Sequence, residues 1–117
     1  MSFDPHSPEQ FAVVVVPFPF TDRLAAKRRP ALVLSLPGAL GVDAGHSVLA
    51  MITSAANPPW PHDVPIGDLG AAGLGAASVV RMKLFTLDDR LIIRQAGRLA
   101  PADQAAVRRS LASVCGP

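Results

Sequence analysis

Arg23, Lys27, Arg28 and Arg29 fall within one stretch of seven residues, enclosed by the apolar runs "VVVVPFPF" and "PALVLS". A guanidinium is planar, permanently charged and able to bond two oxygens of one phosphate. Nine of the eleven basic residues are Arg, a bias that suits phosphate recognition. Arg29 directly precedes Pro30, which opens a strand. Its guanidinium is therefore expected on a rigid element, where a fixed cation can stabilise a developing oxyanion. Thr53 and Ser54 end another apolar run and supply hydroxyls where the core pattern would continue. If the two strands are neighbours, these hydroxyls meet Arg29 and make a site for an anionic ligand. Phe18 and Phe20 alternate along an extended segment and are candidates for base stacking, with core packing as the alternative.

Other chemistry is poorly supported. The glycine-rich stretch 67–75 has neither a following Gly-Lys-Ser/Thr nor a GxGxxG register, and reads as a flexible connection rather than a phosphate loop. His6, His46 and His62 match no ligand spacing, so no metal site is expected; His62 is kept as a candidate RNA contact in an exposed loop. Asp88 and Asp89 are adjacent, suit a turn facing solvent, and are not placed for paired-carboxylate hydrolysis. Cys115 is the only cysteine, which excludes an internal disulfide, and reads as a buried structural thiol in a helix.

These residues need a scaffold, and periodicity supplies one. Strands are expected over 11–16, 31–35, 46–54, 64–66, 78–84 and 91–97, the first continuous in Val and so covered on both faces. Pro17 and Pro19 should carry the chain out of the sheet. "AANPPWPHD" has three prolines in five residues and cannot be regular structure. After Gly97 the period changes: Pro101 fits a helix first turn, Val107, Leu111 and Val114 share one face, and Gly116 ends the helix. The reading is a mainly β, α+β fold: a small barrel-like sheet with a C-terminal helical cap, one domain over 1–117, with residues 1–10 as a flexible tail.

Composition sets the outer limits. A chain of 117 residues, 50% hydrophobic and 17% charged, suits one cored domain and excludes a disordered tail. A net charge of +2 leans towards anionic partners without naming them. Pro17, Pro19, Pro37 and Asp43 interrupt every apolar stretch, and no basic leader precedes one, so a cytoplasmic protein with no membrane span is expected.

Taken in order, "VVVVPFPFTD", "KRRPALVLS", "MITS", "GL" followed by "SVVRMKLFTLDDRLI", and "GRL" before the last helix resemble the MazF/PemK toxins of bacterial toxin–antitoxin systems, from about Phe11 to Val114. The resemblance implies an SH3-like β-barrel related to the CcdB toxins and a homodimer. It also implies a metal-independent, sequence-specific endoribonuclease that cuts single-stranded RNA, chiefly mRNA, and is neutralised by a cognate antitoxin. By matching positions, Arg29 and Thr53 are the implied catalytic pair and Arg81 the implied substrate residue. Arg28, Lys27, Ser54, Lys83 and Phe18 complete the expected substrate-binding set. No cofactor is expected, because the nucleophile is the substrate's own 2′-hydroxyl. Two positions depart from the pattern: Ala12 stands where members often carry an acid, and the segment between Val80 and Leu84 is one residue short. The reading of a different class is a non-catalytic SH3-like module, or a CcdB-like inhibitor of a protein target such as gyrase.

Overall fold

The computed structural model describes residues 8–17, 27–41 and 45–117. Six strands follow one another: β1 (Ala12–Pro17), β2 (Arg28–Val33), β3 (His46–Ser54), β4 (Val64–Pro65), β5 (Ser78–Asp88) and β6 (Arg94–Arg98). A short helix α1 (Leu69–Ala72) lies between β4 and β5, and α2 (Pro101–Cys115) closes the chain. The strands form one antiparallel sheet in the order β4-β5-β3-β2-β1-β6, curled into a half-barrel. The expected small β-barrel with a C-terminal helix is thus the observed fold.

The continuous apolar reading of β1 has a direct cause. Phe11 and Val13 belong to the core under the helices, whereas Ala12, Val14 and Val16 belong to a second core on the opposite face. Successive side chains of a strand point to opposite faces, so a strand buried on both must be apolar throughout. The helix-side core gathers Leu32, Ile52, Val80 and Val107 among others; the second gathers Val33, Leu49, Phe85 and Ile92.

Element bounds differ from the sequence reading in instructive ways. The second strand starts at Arg28, so Arg28 and Arg29 are strand residues paired with Pro17 and Val16. Pro30 is accommodated opposite Val15 although it donates nothing to the ladder. The fifth strand runs through the expected turn to Asp88, and a 3-10 turn over Asp89–Leu91 then reverses the chain. Asp89 does not face solvent: it is buried, and its Oδ1 accepts a 2.6 Å hydrogen bond from Ser47 Oγ.

The glycine-rich segment is likewise not a loose connection. It contains α1, whose N-cap Asp68 accepts from the Ala71 N–H, and it is held to α2 by Asp103. That carboxylate accepts from the backbone N–H groups of Gly67 (2.9 Å) and Asp68 (3.0 Å). Gly97 on β6 allows α1 to approach, since a Cβ there would lie 2.4 Å from the Ala71 carbonyl oxygen. The last turn of α2 overshoots the sheet. Val107 is fully buried and Leu111 packs on the core, but Val114 and Cys115 are exposed, so the buried thiol expected from the sequence is corrected. At the other end, Pro8 is buried, Glu9 pairs with Arg98, and Gln10 Nε2 donates to the Leu34 carbonyl.

Candidate functional site

Sheet register decides which polar residues can act together. β2 pairs with β3 through Ala31 opposite Met51 and Leu32 opposite Ala50. That ladder ends at Ala31 and Met51, and strand alternation puts Arg29 and Thr53, each two residues beyond that pair, on the same face as it. On the far side of β3, Thr53 pairs with Val79 and Met51 with Arg81 on β5. Residues directly opposite share a face, so Arg29, Thr53 and Arg81 all lie on the face away from α2. Arg29 is half-buried and Thr53 buried, at the rim where that face's apolar core ends.

Thr53 has a partner that the sequence reading missed. Asn57 Nδ2 donates to Thr53 Oγ1 at 2.7 Å. One hydroxyl lone pair is thereby occupied, and the O–H retains its capacity to donate. The available signal was an amide four residues beyond the strand-end threonine. Ser54, on the opposite face, is exposed, and its Oγ accepts from the Ala56 N–H at 3.1 Å, turning the chain out of the strand.

Residues 55–63 are irregular, as three prolines require, yet anchored at several points. Arg81 is buried and bonds Asp63 twice, Nε to Oδ1 at 3.1 Å and Nη2 to Oδ2 at 2.9 Å. Its Nη2 also donates to the Pro58 carbonyl at 2.9 Å. The Trp60 N–H donates to Asp63 Oδ2, and the His62 carbonyl accepts from Ser110 Oγ on α2. The hydrogen bond from Arg81, joined by that from the Trp60 backbone, holds the Asp63 carboxyl below its usual range despite partial burial. The same bond raises Arg81. His62 has φ of 68°, a left-handed conformation that His tolerates better than most residues.

The remaining expected residues separate. Arg28 falls on the opposite face from Arg29, because adjacent strand residues alternate. It lines a shallow cleft of about 290 Å³ with Arg94, Leu74 and Ile93. Lys27 is exposed beside it in sequence. Lys83 sits in a bulge: between Ala50 and Met51 the partner strand advances from Leu84 to Arg81, so Met82 and Lys83 have no cross-strand partner. Phe18, Phe20 and Arg23 lie outside the described residues. Among the described residues, no three His, Cys, Asp or Glu side chains gather as a metal site, and no helix is long and apolar enough to cross a membrane.

The structure is thus a small curled antiparallel sheet that carries a guanidinium and a hydroxyl on one face, at the ends of two adjacent strands. Comparison with known proteins then fixes the family. The model of the PemK-like, MazF-like toxins of type II toxin–antitoxin systems matches residues 9–115, and the chain belongs to that family. Among solved structures it is similar to MazF from Deinococcus radiodurans, at 27% identity and a TM-score of 0.71, covering 95% of this chain and 98% of that one. A MazE–MazF complex from the same organism matches at 27% identity and a TM-score of 0.72, covering 94% and 97%. Mycobacterium tuberculosis toxin MazF-mt6 shares the fold at 20% identity and a TM-score of 0.67, covering 87% and 93%. No curated protein matches.

Proposed function

We propose that this chain is a toxin endoribonuclease that cuts single-stranded RNA by attack of the ribose 2′-hydroxyl on the adjacent phosphorus, and that a cognate antitoxin neutralises it. The observation that carries the reading is the sharing of one sheet face, on facing strand ends, by Arg29 and Thr53. Membership of the toxin family and a solved relative described as an endoribonuclease in complex with its cognate antitoxin support it.

The chemistry asks little of the protein. In the substrate, the 2′-hydroxyl gives up its proton as its oxygen bonds to phosphorus, the bond to the 5′-oxygen breaks and that oxygen takes up a proton, so that a 2′,3′-cyclic phosphate and a 5′-hydroxyl result. Charge accumulates on the non-bridging oxygens, where a strand-held guanidinium such as Arg29 stabilises it. With Asn57 donating to its oxygen, Thr53 is set to donate its own proton to one of those oxygens. Arg81, bonded to Asp63 and Pro58, positions the loop over residues 55–63.

The test is cleavage of a labelled single-stranded RNA in EDTA. Products ending in a cyclic or 3′-phosphate and a 5′-hydroxyl are expected, with the corresponding DNA intact. Equal cutting of DNA, or activity only on addition of a divalent metal, would sink the mechanism.

A further inference from the structure

Trp60 stands out because nothing in the fold requires it where it is. It is 44% exposed, on an irregular loop, although tryptophan is usually well buried. The loop around it is nevertheless fixed on both sides. Asn57 is tied to Thr53, Pro58 and Asp63 to Arg81, and His62 to Ser110. Its own N–H is held by Asp63 at 2.9 Å. Two cations lie against its ring: the Arg81 guanidinium carbon is 5.0 Å from the centroid and Lys83 Nζ 5.9 Å.

The two cations have different roles. Arg81 is neutralised by Asp63 and serves as a buried support under the ring. Lys83 has no carboxylate partner among the described residues; it is exposed in the β5 bulge, with its Nζ over the Trp60 ring. Bulges re-aim side chains in this way. A partly exposed indole on an anchored loop, with an ammonium that has no carboxylate partner among the described residues, matches the two halves of a nucleotide, a base to stack and a phosphate to bind. The Arg81 row lies two strand residues from the Thr53 row on the same face, roughly 7 Å along the strand.

We propose that Trp60, held by the Arg81–Asp63 clamp, is the stacking platform for a base of single-stranded RNA close to the scissile phosphate, with Lys83 binding a neighbouring phosphate. The proposal rests on the ribonuclease reading and deepens it by assigning a binding subsite. A rigid platform binds with little loss of side-chain freedom, which is the advantage of anchoring the loop so heavily.

The sequence provides its own reporter, since Trp60 is the only tryptophan and there is no tyrosine. A short, fluorescein-labelled 2′-O-methyl RNA, which cannot be cleaved, is titrated with the protein while anisotropy and tryptophan emission are followed. Emission from the RNA-bound protein, compared with the same additions made without RNA, should be quenched in step with the rise in anisotropy. Trp60→Ala should weaken binding roughly five- to hundredfold, whereas Trp60→Phe retains most of it. Lys83→Ala should reduce the salt slope of log K by about 0.7. Rising anisotropy with unchanged emission, together with wild-type affinity or KM in Trp60→Ala, overturns the platform and leaves the ribonuclease reading intact. Absence of oligonucleotide binding together with absence of RNA cleavage overturns both.

Discussion

Arg29 and Arg81 are both arginines on one sheet face, yet their surroundings give them opposite assignments. Arg81 is enclosed, paired to a carboxylate and bonded to a carbonyl, so its charge is already satisfied within the fold. Arg29 is half-buried near the start of β2, on the same sheet face as Thr53 near the end of β3. Arg29→Ala should therefore lower the cleavage rate by roughly 10²–10³, the usual effect of losing one oxyanion-stabilising donor; an unchanged single-turnover rate removes Arg29 from catalysis. Asp63→Asn should act differently. It leaves the buried Arg81 without its counter-charge, lowering stability by about 1–3 kcal/mol in urea titration and raising KM more than it lowers kcat. The pair also sets a pH response. Asp63 titrates lower in the folded chain than in the unfolded one, so its stabilisation is complete above the unfolded value, near pH 4, and is lost as the pH falls through the lower folded value. Trp60 emission should accordingly be constant from about pH 5 to 8 and change below about pH 4. In Asp63→Asn that acid transition should be absent.

Elements explain why some of this was legible in the sequence and some was not. The doubly buried strand β1, the proline-broken loop over residues 55–63 and the helix opened by Pro101 all follow from local rules, and all are present. The relation between Arg29 and Thr53 was legible as two strand ends, but their shared face depends on register, which no single segment encodes. The Arg81–Asp63 pair spans 18 residues and the Ser47–Asp89 bond 42, so local pattern could not have found either. Arg28 was grouped with Arg29 by adjacency, whereas strand alternation sends it to the other face. The glycine-rich segment misled for a related reason. Gly73 at the end of α1 and Gly97 of β6 serve a close approach between α1 and the sheet, a tertiary demand that composition presents as flexibility. Gly97→Ala should therefore destabilise the fold by about 1–3 kcal/mol or more, because the added methyl meets backbone atoms of Ala71 and Ala72 rather than a movable side chain. A chemical denaturation midpoint equal to wild type would show that the approach is not tight.

At the scale of the molecule, one half-barrel offers a limited surface for an anionic partner. The catalytic candidates occupy one end of one face, and the cleft containing Arg28 and Arg94 lies on the other. A second chain would lengthen any groove for RNA and cover apolar surface left at the end of the sheet. Leu91 (49% exposed) and Ile93 (42%) flank the entry to the edge strand β6 and are large residues without cover in the single chain. Closed two-fold pairing is the commonest way in which a small protein buries such a patch. A homodimer of twice 12.2 kDa is therefore expected by light scattering at micromolar concentration. Ile93→Lys should shift it towards monomer without unfolding it, because the residue is exposed in the isolated fold. The antitoxin expectation is tested on the same assembly. An acidic, partly apolar antitoxin segment that neutralises the toxin by covering the cationic face should compete with the 2′-O-methyl oligonucleotide and slow its association as salt rises. Tight binding of that segment while RNA cleavage continues unchanged would place the partner on a surface away from Arg29 and Thr53 and would overturn neutralisation by occlusion of that face.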